Sequence, residues 1–145
     1  MPDKKNAKIN ADIKYRSLGI DAVKIFSHHF DVIETDDIIH TQGATVIAQC
    51  HITGSLIKIR RYHPDNYVDD PFASFDSKRE SLFHEIWHFL EIEFPKNVDN
   101  VEDFVNWCAI NTCTLLNDNP ELALLFLPPD IAEKVKEMLK SKNGK

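Results

Sequence analysis

The sequence predicts an α+β fold in which a short antiparallel sheet packs on a helical half. Between Gly43 and Arg61, apolar and polar residues alternate around a Thr53-Gly54 turn, which is typical of a β-hairpin. From Ser77 onwards the apolar residues recur at helical spacing, and prolines separate the helical stretches. The chain has 145 residues, of which 43% are hydrophobic and 28% charged, as expected for a globular protein with one core.

The chain divides into one predicted domain and two predicted tails. Residues 1–10 are polar and rich in lysine, so we expect a flexible N-terminal tail. Residues 11–140 contain every predicted strand and nearly all of the predicted helical sequence, and they form the single domain. Residues 141–145 are again polar and are expected to form a flexible C-terminal tail.

The N-terminal half gives weaker predictions outside the hairpin. Apolar residues in segment 20–30 lie at helical spacing and predict a short amphipathic helix. Residues 31–39 are rich in isoleucine and valine but contain two adjacent aspartates, which predicts a strand leading into a loop. Residues 62–76 hold two prolines and four aspartates, so we expect a long irregular loop, a kind of segment that is often functional.

The first helix of the second half has a clear start and stop. Ser77 and Glu80 have the Ser-x-x-Glu spacing of a capping box, in which the serine side chain accepts from the amide three residues later. Pro95 cannot continue a helix. The predicted helix therefore runs from Ser77 to about Phe94.

Three further helices are predicted after it. The segment Asp-Asn-Val-Glu at 99–102 is a second helix start. Asn119-Pro120 starts a third helix, because proline is favoured in the first helical turn. Pro128-Pro129 ends that helix, and a last amphipathic helix follows.

Composition and charge exclude several classes of protein. The formal net charge is -6, and a generic nucleic-acid binder usually has a basic surplus, so no direct nucleic-acid partner is expected. The longest apolar run, 122–127, is too short to cross a bilayer, and residues 1–10 lack the apolar core of a secretory signal. An odd count of three cysteines favours a reducing, cytoplasmic compartment. Of these cysteines, Cys108 and Cys113 are predicted to be buried and reduced.

The segment from His84 to His88 has the pattern H-E-x-x-H inside the first predicted helix. Residues four apart lie on the same face of a helix, so both imidazoles can bind one zinc ion. Glu85 lies beside that face, where its carboxylate can act as general base toward a zinc-bound water. Zn²⁺ is therefore the predicted cofactor. The alternative is a pair of ordinary half-buried histidines with no metal.

A catalytic zinc site needs a third protein ligand and one open position. Glu91, Glu93, Glu102, Asp103 and the remaining histidines are all candidates. We prefer Glu102, because the loop before the second helix is short enough to fold that helix back and because His₂Glu is a known catalytic set. The alternative is that Glu102 is only the capping-box glutamate of that helix.

Two motifs together resemble a known family. His84-Glu-Ile-Trp-His88 followed by Glu102-Asp-Phe-Val-Asn106 is similar to the HExxH and ExxAN motifs of the ImmA/IrrE-like zinc metallopeptidases. The resemblance covers roughly residues 43–120 and extends to small phage- and prophage-borne members. It implies a zincin-like domain with Glu102 as third metal ligand and Glu85 as general base. Trp87 replaces the small residue common before the second histidine of that motif, and Val105 replaces the usual alanine.

Other residues are candidates for supporting roles. A peptidase gains from a donor that stabilises the oxyanion of the transition state, and four upstream side chains are of the right type. They are Tyr62, His63, Tyr67 and His51. Asn106, at the end of the second motif, is a candidate for supporting the metal ligands. The edge of the predicted hairpin is a candidate surface for a substrate strand.

The sequence thus leads to two function hypotheses. The first is a cytoplasmic zinc-dependent endopeptidase with a protein or peptide substrate. The family resemblance implies that this substrate is a helix-turn-helix transcriptional repressor of a phage or mobile element. The second is a catalytically silent protein that keeps the zincin scaffold and regulates a partner by binding. Neither hypothesis includes a membrane.

Overall fold

The computed structural model describes residues 15–37, 39–41, 44–61, 74–92, 94–95 and 100–143. In these ranges the strands come first and the helices follow. The strands are β1 (Ala22–Ile25), β2 (His28–Thr35), β3 (Ile39–Thr41), β4 (Ala44–Val46), β5 (Ala48–His51) and β6 (Leu56–Arg60). The helices are α1 (Phe75–Ile92), α2 (Val101–Asp118), α3 (Glu121–Leu124) and α4 (Pro129–Asn143). The fold is α+β, as the sequence predicts.

The main sheet has four strands in the order β1-β2-β6-β5. The pairs β1–β2 and β5–β6 are antiparallel, whereas β2 and β6 run parallel. Strands β3 and β4 form a separate antiparallel pair. The sheet is therefore mixed and larger than the short antiparallel sheet that the sequence predicts. The parallel pair forms between strands far apart in sequence, and local alternation carries no information about such a pairing.

Segment 20–30 forms β1, a turn and the start of β2, so the predicted helix there is wrong. Val23, Ile25 and Phe30 are each 1% exposed and point into one core from two paired strands. Phe26 lies in the turn between them with a φ of 55°. The apparent helical spacing arises because the turn shifts the two-residue period of one strand relative to the other.

The predicted hairpin is confirmed as β5 and β6. Its turn places the amide of Gly54 3.2 Å from the carbonyl oxygen of His51, and Ser55 adopts a φ of 48°. The predicted first strand is shorter than expected, because residues 44–46 pair with β3 instead. Strand β5 is left at the edge of the main sheet.

Helix α1 begins two residues earlier than the predicted start. The Ser74 hydroxyl oxygen accepts from the amide of Ser77 at 3.1 Å, so Ser74 caps the helix and the predicted Ser77 capping box is wrong. The helix ends at Ile92, close to the predicted end. Its buried side chains Leu82, Ile86 and Phe89 face the apolar side of the sheet.

The later helices follow the predicted order. Asn100 caps α2 by accepting from the amide of Asp103 at 2.9 Å. Helix α3 is a single turn after Pro120, and α4 begins at Pro129, the second residue of the Pro128-Pro129 pair. Helix α4 continues to Asn143, so residues 141–143 of the predicted C-terminal tail are helical. The predicted tail at 1–10 and residues 62–73 of the predicted loop lie outside the described residues.

A buried asparagine joins the helical half to the sheet. Asn119 is 2% exposed and follows the last residue of α2. Its side chain accepts from the amide of Lys24 at 2.6 Å and donates to the carbonyl oxygen of Lys24 at 2.7 Å. Asn119 thus satisfies the backbone of edge strand β1 as a further strand would.

Candidate metal centre

His84 and His88 meet on the exposed side of α1. Their Nε2 atoms are 2.9 Å apart, and their ring centroids are 4.5 Å apart. The opposite side of the helix is fixed in the core by Leu82 and Ile86, which are both fully buried. The helix therefore holds the two imidazoles together, with both rings open to solvent. This confirms that the two histidines share one face.

The geometry of this pair suits a tetrahedral zinc ion. Zinc–nitrogen bonds of about 2.0–2.1 Å place two tetrahedral ligand atoms about 3.3 Å apart. The Nε2 atoms of His84 and His88 are 2.9 Å apart, so a small rotation of either ring brings them to that spacing. The same distance also allows one neutral imidazole to donate a hydrogen bond to the other.

Glu91 lies on the other side of the second imidazole. Its Oε2 atom is 3.7 Å from Nδ1 of His88. At this distance the carboxylate does not hydrogen-bond the ring. A carboxylate that closes on Nδ1 favours the tautomer that carries its proton there, which leaves Nε2 free to bind a metal. Of the candidates for third ligand, Glu91 therefore lies in position to orient His88 instead.

Glu85 points away from the helix toward the edge strand. Its Oε2 atom accepts a hydrogen bond of 2.8 Å from the backbone amide of Cys50 in β5. The predicted general base is therefore held at a defined place between the sheet and the histidine pair. The strand register explains why this amide is available. The amide of Arg60 donates to the carbonyl oxygen of Ile47, and hydrogen-bonded pairs alternate along an antiparallel ladder, so Gln49 is the next residue that bonds to β6. The amide of Cys50 therefore faces away from β6.

A groove of about 850 Å³ runs between β5 and α1. One wall consists of residues 46–50, and the other carries His84, Glu85 and His88. The volume of the groove is sufficient for a segment of extended chain, and the wall formed by α1 presents both the histidine pair and Glu85. This groove is the candidate active site.

The cysteine in this groove is unsuited to nucleophilic chemistry. Burial, and then the negative charge of Glu85, raise the pKa of Cys50 to about 11. The thiol is protonated at neutral pH, and the thiolate is the nucleophilic form. The groove therefore does not support the mechanism of a cysteine peptidase at Cys50.

The predicted third ligand does not join the pair. Glu102 is exposed on α2 and lines neither the groove nor the second cavity beside the histidines. The face of α2 that approaches His84 and His88 carries Phe104 and Cys108. At 3.6 residues per turn, Glu102 lies roughly on the opposite face of α2. Among the described residues, no group of three histidine, cysteine or acidic side chains is arranged to hold a metal ion.

Two further predicted residues that the structure describes, Asn106 and His51, do not lie at the pair either. Asn106 is exposed on the same outer face of α2 as Glu102. His51 is half-buried in β5 and does not line the groove. The other candidates lie outside the described residues, so their roles stay predictions. They are Tyr62, His63, Tyr67 and, among the possible ligands, Glu93.

Sequence reasoning missed a second cavity of about 360 Å³ between α1 and α2. It is lined by His84 and His88 together with Trp87, Phe94, Phe104, Trp107, Cys108 and Glu91. We call it the aromatic cavity. The spacing of Phe104, Trp107 and Cys108 is the helical signal that could have revealed it. Cys108 is half-buried here, and Cys113 is exposed, so the prediction that Cys113 is buried is wrong.

Comparisons with protein-family models, curated proteins and solved structures found no match for this chain. In the described part of the chain, no helix has the length and apolar character needed to cross a membrane.

Proposed function

We propose that this protein is a zinc-dependent endopeptidase that hydrolyses a peptide bond in a protein substrate. The observation that carries the proposal is the placement of His84 and His88, with Nε2 atoms 2.9 Å apart, on a groove that also holds Glu85. The H-E-x-x-H pattern supplies the residue types that this chemistry needs. The support for the roles of His84, Glu85 and His88 is the geometry of the groove. For Glu102 the support comes from the sequence alone: the short loop before α2, the known His₂Glu ligand set and the family resemblance.

The chain's residues divide the work as follows. His84 and His88 would hold the ion, and Glu91, whose Oε2 atom lies 3.7 Å from Nδ1 of His88, would orient that imidazole. A zinc ion supplies, when bound, a more acidic water and a Lewis acid for the substrate carbonyl. Glu85 accepts a proton from the attacking water and passes it to the leaving amine.

The substrate would lie along β5. This strand is at the edge of the main sheet, and its outward backbone groups face the groove. An extended peptide can add to such an edge through main-chain hydrogen bonds. The Cys50 amide is one of these donors and is bonded to Glu85, so a bound peptide strand competes with Glu85 for it. Substrate binding would then release the base toward the scissile bond.

The family resemblance narrows the substrate class. It implies a helix-turn-helix repressor of a phage or mobile element as the partner, in the cytoplasm. The net charge of -6 is consistent with a protein that meets DNA through such a partner. This part of the proposal rests on the two sequence motifs.

A second candidate function is favoured by the outward position of Glu102. A catalytic zinc needs three protein ligands, and the described residues bring two of them together. A zincin scaffold with an incomplete centre would regulate a partner by binding in the groove without cutting it. The two functions differ in whether Glu85 is needed for the effect on the partner.

The test is incubation with the repressor encoded nearest to the gene, with and without a chelator, read by intact mass. The endopeptidase predicts two fragments whose masses sum to the substrate plus one water. Glu85→Gln should keep the metal and lose cleavage, and Glu137→Gln on exposed α4 is the matched control. Cleavage that survives Glu85→Gln contradicts the mechanism. Binding without cleavage in both variants supports the second function.

A further inference from the structure

The aromatic cavity opens beside the histidine pair on the side away from β5. His84, His88 and Glu91 line both this cavity and the groove. The two spaces therefore meet at the imidazoles. A peptide bond placed at the pair has neighbouring residues only about 3.3 Å away along an extended chain, so one of their side chains can reach the cavity.

The wall of this cavity is built from rings that brace one another. Trp107 packs against Phe94 with centroids 4.9 Å apart and against Trp87 at 6.1 Å. Phe94 also contacts Phe104, at 5.8 Å. These contacts join the C-terminal part of α1 and Phe94, which follows it, to the first half of α2, so the cavity is a formed feature of the fold. Phe104 is still 47% exposed, so aromatic surface is available to a ligand.

Size and chemistry select the occupant. About 360 Å³ is near the lower limit of ligand pockets, roughly 300–1,000 Å³, which suits one large side chain. Among the described residues that line this cavity, Glu91 is the only one with a carboxylate. An apolar side chain is favoured by the rings, and an acidic one is repelled by Glu91.

Resting on the proposed function, we propose that the aromatic cavity binds one large apolar side chain of the substrate, from a residue next to the scissile bond. Phenylalanine, leucine or methionine fit this description. Phe104, Trp107 and Cys108 are then specificity-determining residues. Burial of such a side chain contributes about 1.5–3 kcal/mol, which corresponds to roughly tenfold to hundredfold tighter binding than alanine.

The protein carries its own reporter for this binding. The chain has 2 tryptophans, Trp87 and Trp107, and both line the cavity. Capped peptides Ac-Ala-Ala-X-Ala-Ala-NH₂, with X as Phe, Leu, Ala or Glu, are titrated into the Glu85→Gln protein and read by tryptophan fluorescence. The Phe peptide should shift the emission and bind at least tenfold tighter than the Ala peptide. The Glu peptide should bind no better than the Ala peptide.

A matched pair of variants tests the location. Cys108→Phe places a ring in the cavity and should weaken the Phe peptide at least tenfold. Cys113→Phe, on the exposed face of the same helix, should leave the affinity unchanged. Far-UV circular dichroism checks that both variants fold. The comparison of the four peptides on the Glu85→Gln protein with Cys108 intact tests the proposal even if one of the cysteine variants does not fold.

Equal affinity for all four peptides, or an equal loss in both cysteine variants, overturns the cavity proposal. The outcome for the peptidase is separate. Cleavage of the repressor together with equal affinity for all four peptides refutes the cavity proposal and keeps the peptidase. A preference for Phe that Cys108→Phe abolishes, in a protein that cleaves nothing, supports the cavity and refutes the peptidase.

Discussion

Glu34→Gln should be among the most destabilising single changes in the protein. The Nζ atom of Lys78 lies 2.9 Å from Oε1 of Glu34, with side-chain exposures of 0% and 11%. Lys78 also donates to the carbonyl oxygen of Arg16 and lies 4.0 Å from the centre of the Tyr15 ring. This cluster ties the start of α1, the helix that carries the histidine pair, to the end of β2 and to the segment before β1.

The magnitude follows from what each change leaves behind. Glu34→Gln leaves a fully buried ammonium without its counter-charge, which costs about 3–5 kcal/mol. Lys78→Met leaves a carboxylate that still accepts from Tyr15, Ser17 and the amide of Leu18, so we expect a loss of about 1–3 kcal/mol. The double variant should lose less free energy of unfolding than the two single variants lose together, and the difference, the coupling energy, should be about 1–3 kcal/mol.

Urea unfolding at pH 7 measures the free energies of unfolding of the wild-type chain, the two single variants and the double variant. The control pair is Lys136 and Glu133 on α4, which are 3.0 Å apart but have side-chain exposures of 35% and 68%. Removing either of these should change the free energy by at most about 1 kcal/mol. The reasoning is refuted if Glu34→Gln is as mild as Glu133→Gln, or if the Glu34 and Lys78 changes add without coupling.

Three further predictions test other parts of the structure. Asn119→Ala removes three hydrogen bonds of a buried side chain, to the amide and carbonyl of Lys24 and to the carbonyl oxygen of Leu115. It should lower the free energy of unfolding by about 2–4 kcal/mol, against about 0.5 kcal/mol or less for exposed Asn117→Ala. Burial by itself raises the pKa of Glu34, but hydrogen bonds from Ser17, Tyr15 and Lys78 outweigh it and hold the pKa below its usual value. The ionised carboxylate of Glu34 therefore stabilises the fold at pH values above the ordinary glutamate pKa of about 4.3. Urea titrations should show that this stabilisation is lost as the pH falls below that value. The Glu34→Gln variant should not show this loss. At pH 8, iodoacetamide should alkylate exposed Cys113 before Cys50, whose pKa of about 11 keeps it protonated; peptide mass mapping that finds Cys50 modified first would contradict the assigned burial.

Local patterns predicted the parts of the fold that depend on local contacts. The β5–β6 hairpin and helix α1 follow from alternation and helical spacing within one segment, and both are confirmed. The same reasoning gave a wrong helix for segment 20–30, because apolar residues from two paired strands happen to lie at helical spacing in the sequence. The parallel pairing of β2 with β6 joins residues about 25 positions apart and leaves no local periodicity.

The candidate site shows the same division. His84 and His88 lie one turn apart on a single helix, so their meeting was predictable from the sequence. The position of Glu102 depends on how α2 rotates about its axis against α1, which spacing within α2 does not determine. The aromatic residues decide that rotation, because Phe104 and Trp107 pack on Phe94 and leave Glu102 on the outer face.

A zinc site that includes Glu102 and an intact aromatic cavity require different rotations of α2. Turning α2 to bring Glu102 to the histidines would carry Trp107 and Cys108 away from the aromatic cavity. Zinc binding that requires Glu102 should therefore change the fluorescence of Trp107. Zinc binding that leaves the fluorescence unchanged would place the third ligand elsewhere.

Zinc binding by the histidine pair is the most direct test of the central proposal. Zinc stoichiometry and affinity are measured by competition with a chromophoric chelator for the wild-type chain, His84→Ala and His88→Ala, with exposed His29→Ala as control. The proposal predicts one zinc ion per chain for the wild type and the control, and a loss of at least tenfold in affinity for each pair variant. A wild-type chain that binds no zinc, or pair variants that bind it as tightly as the wild type, would contradict it.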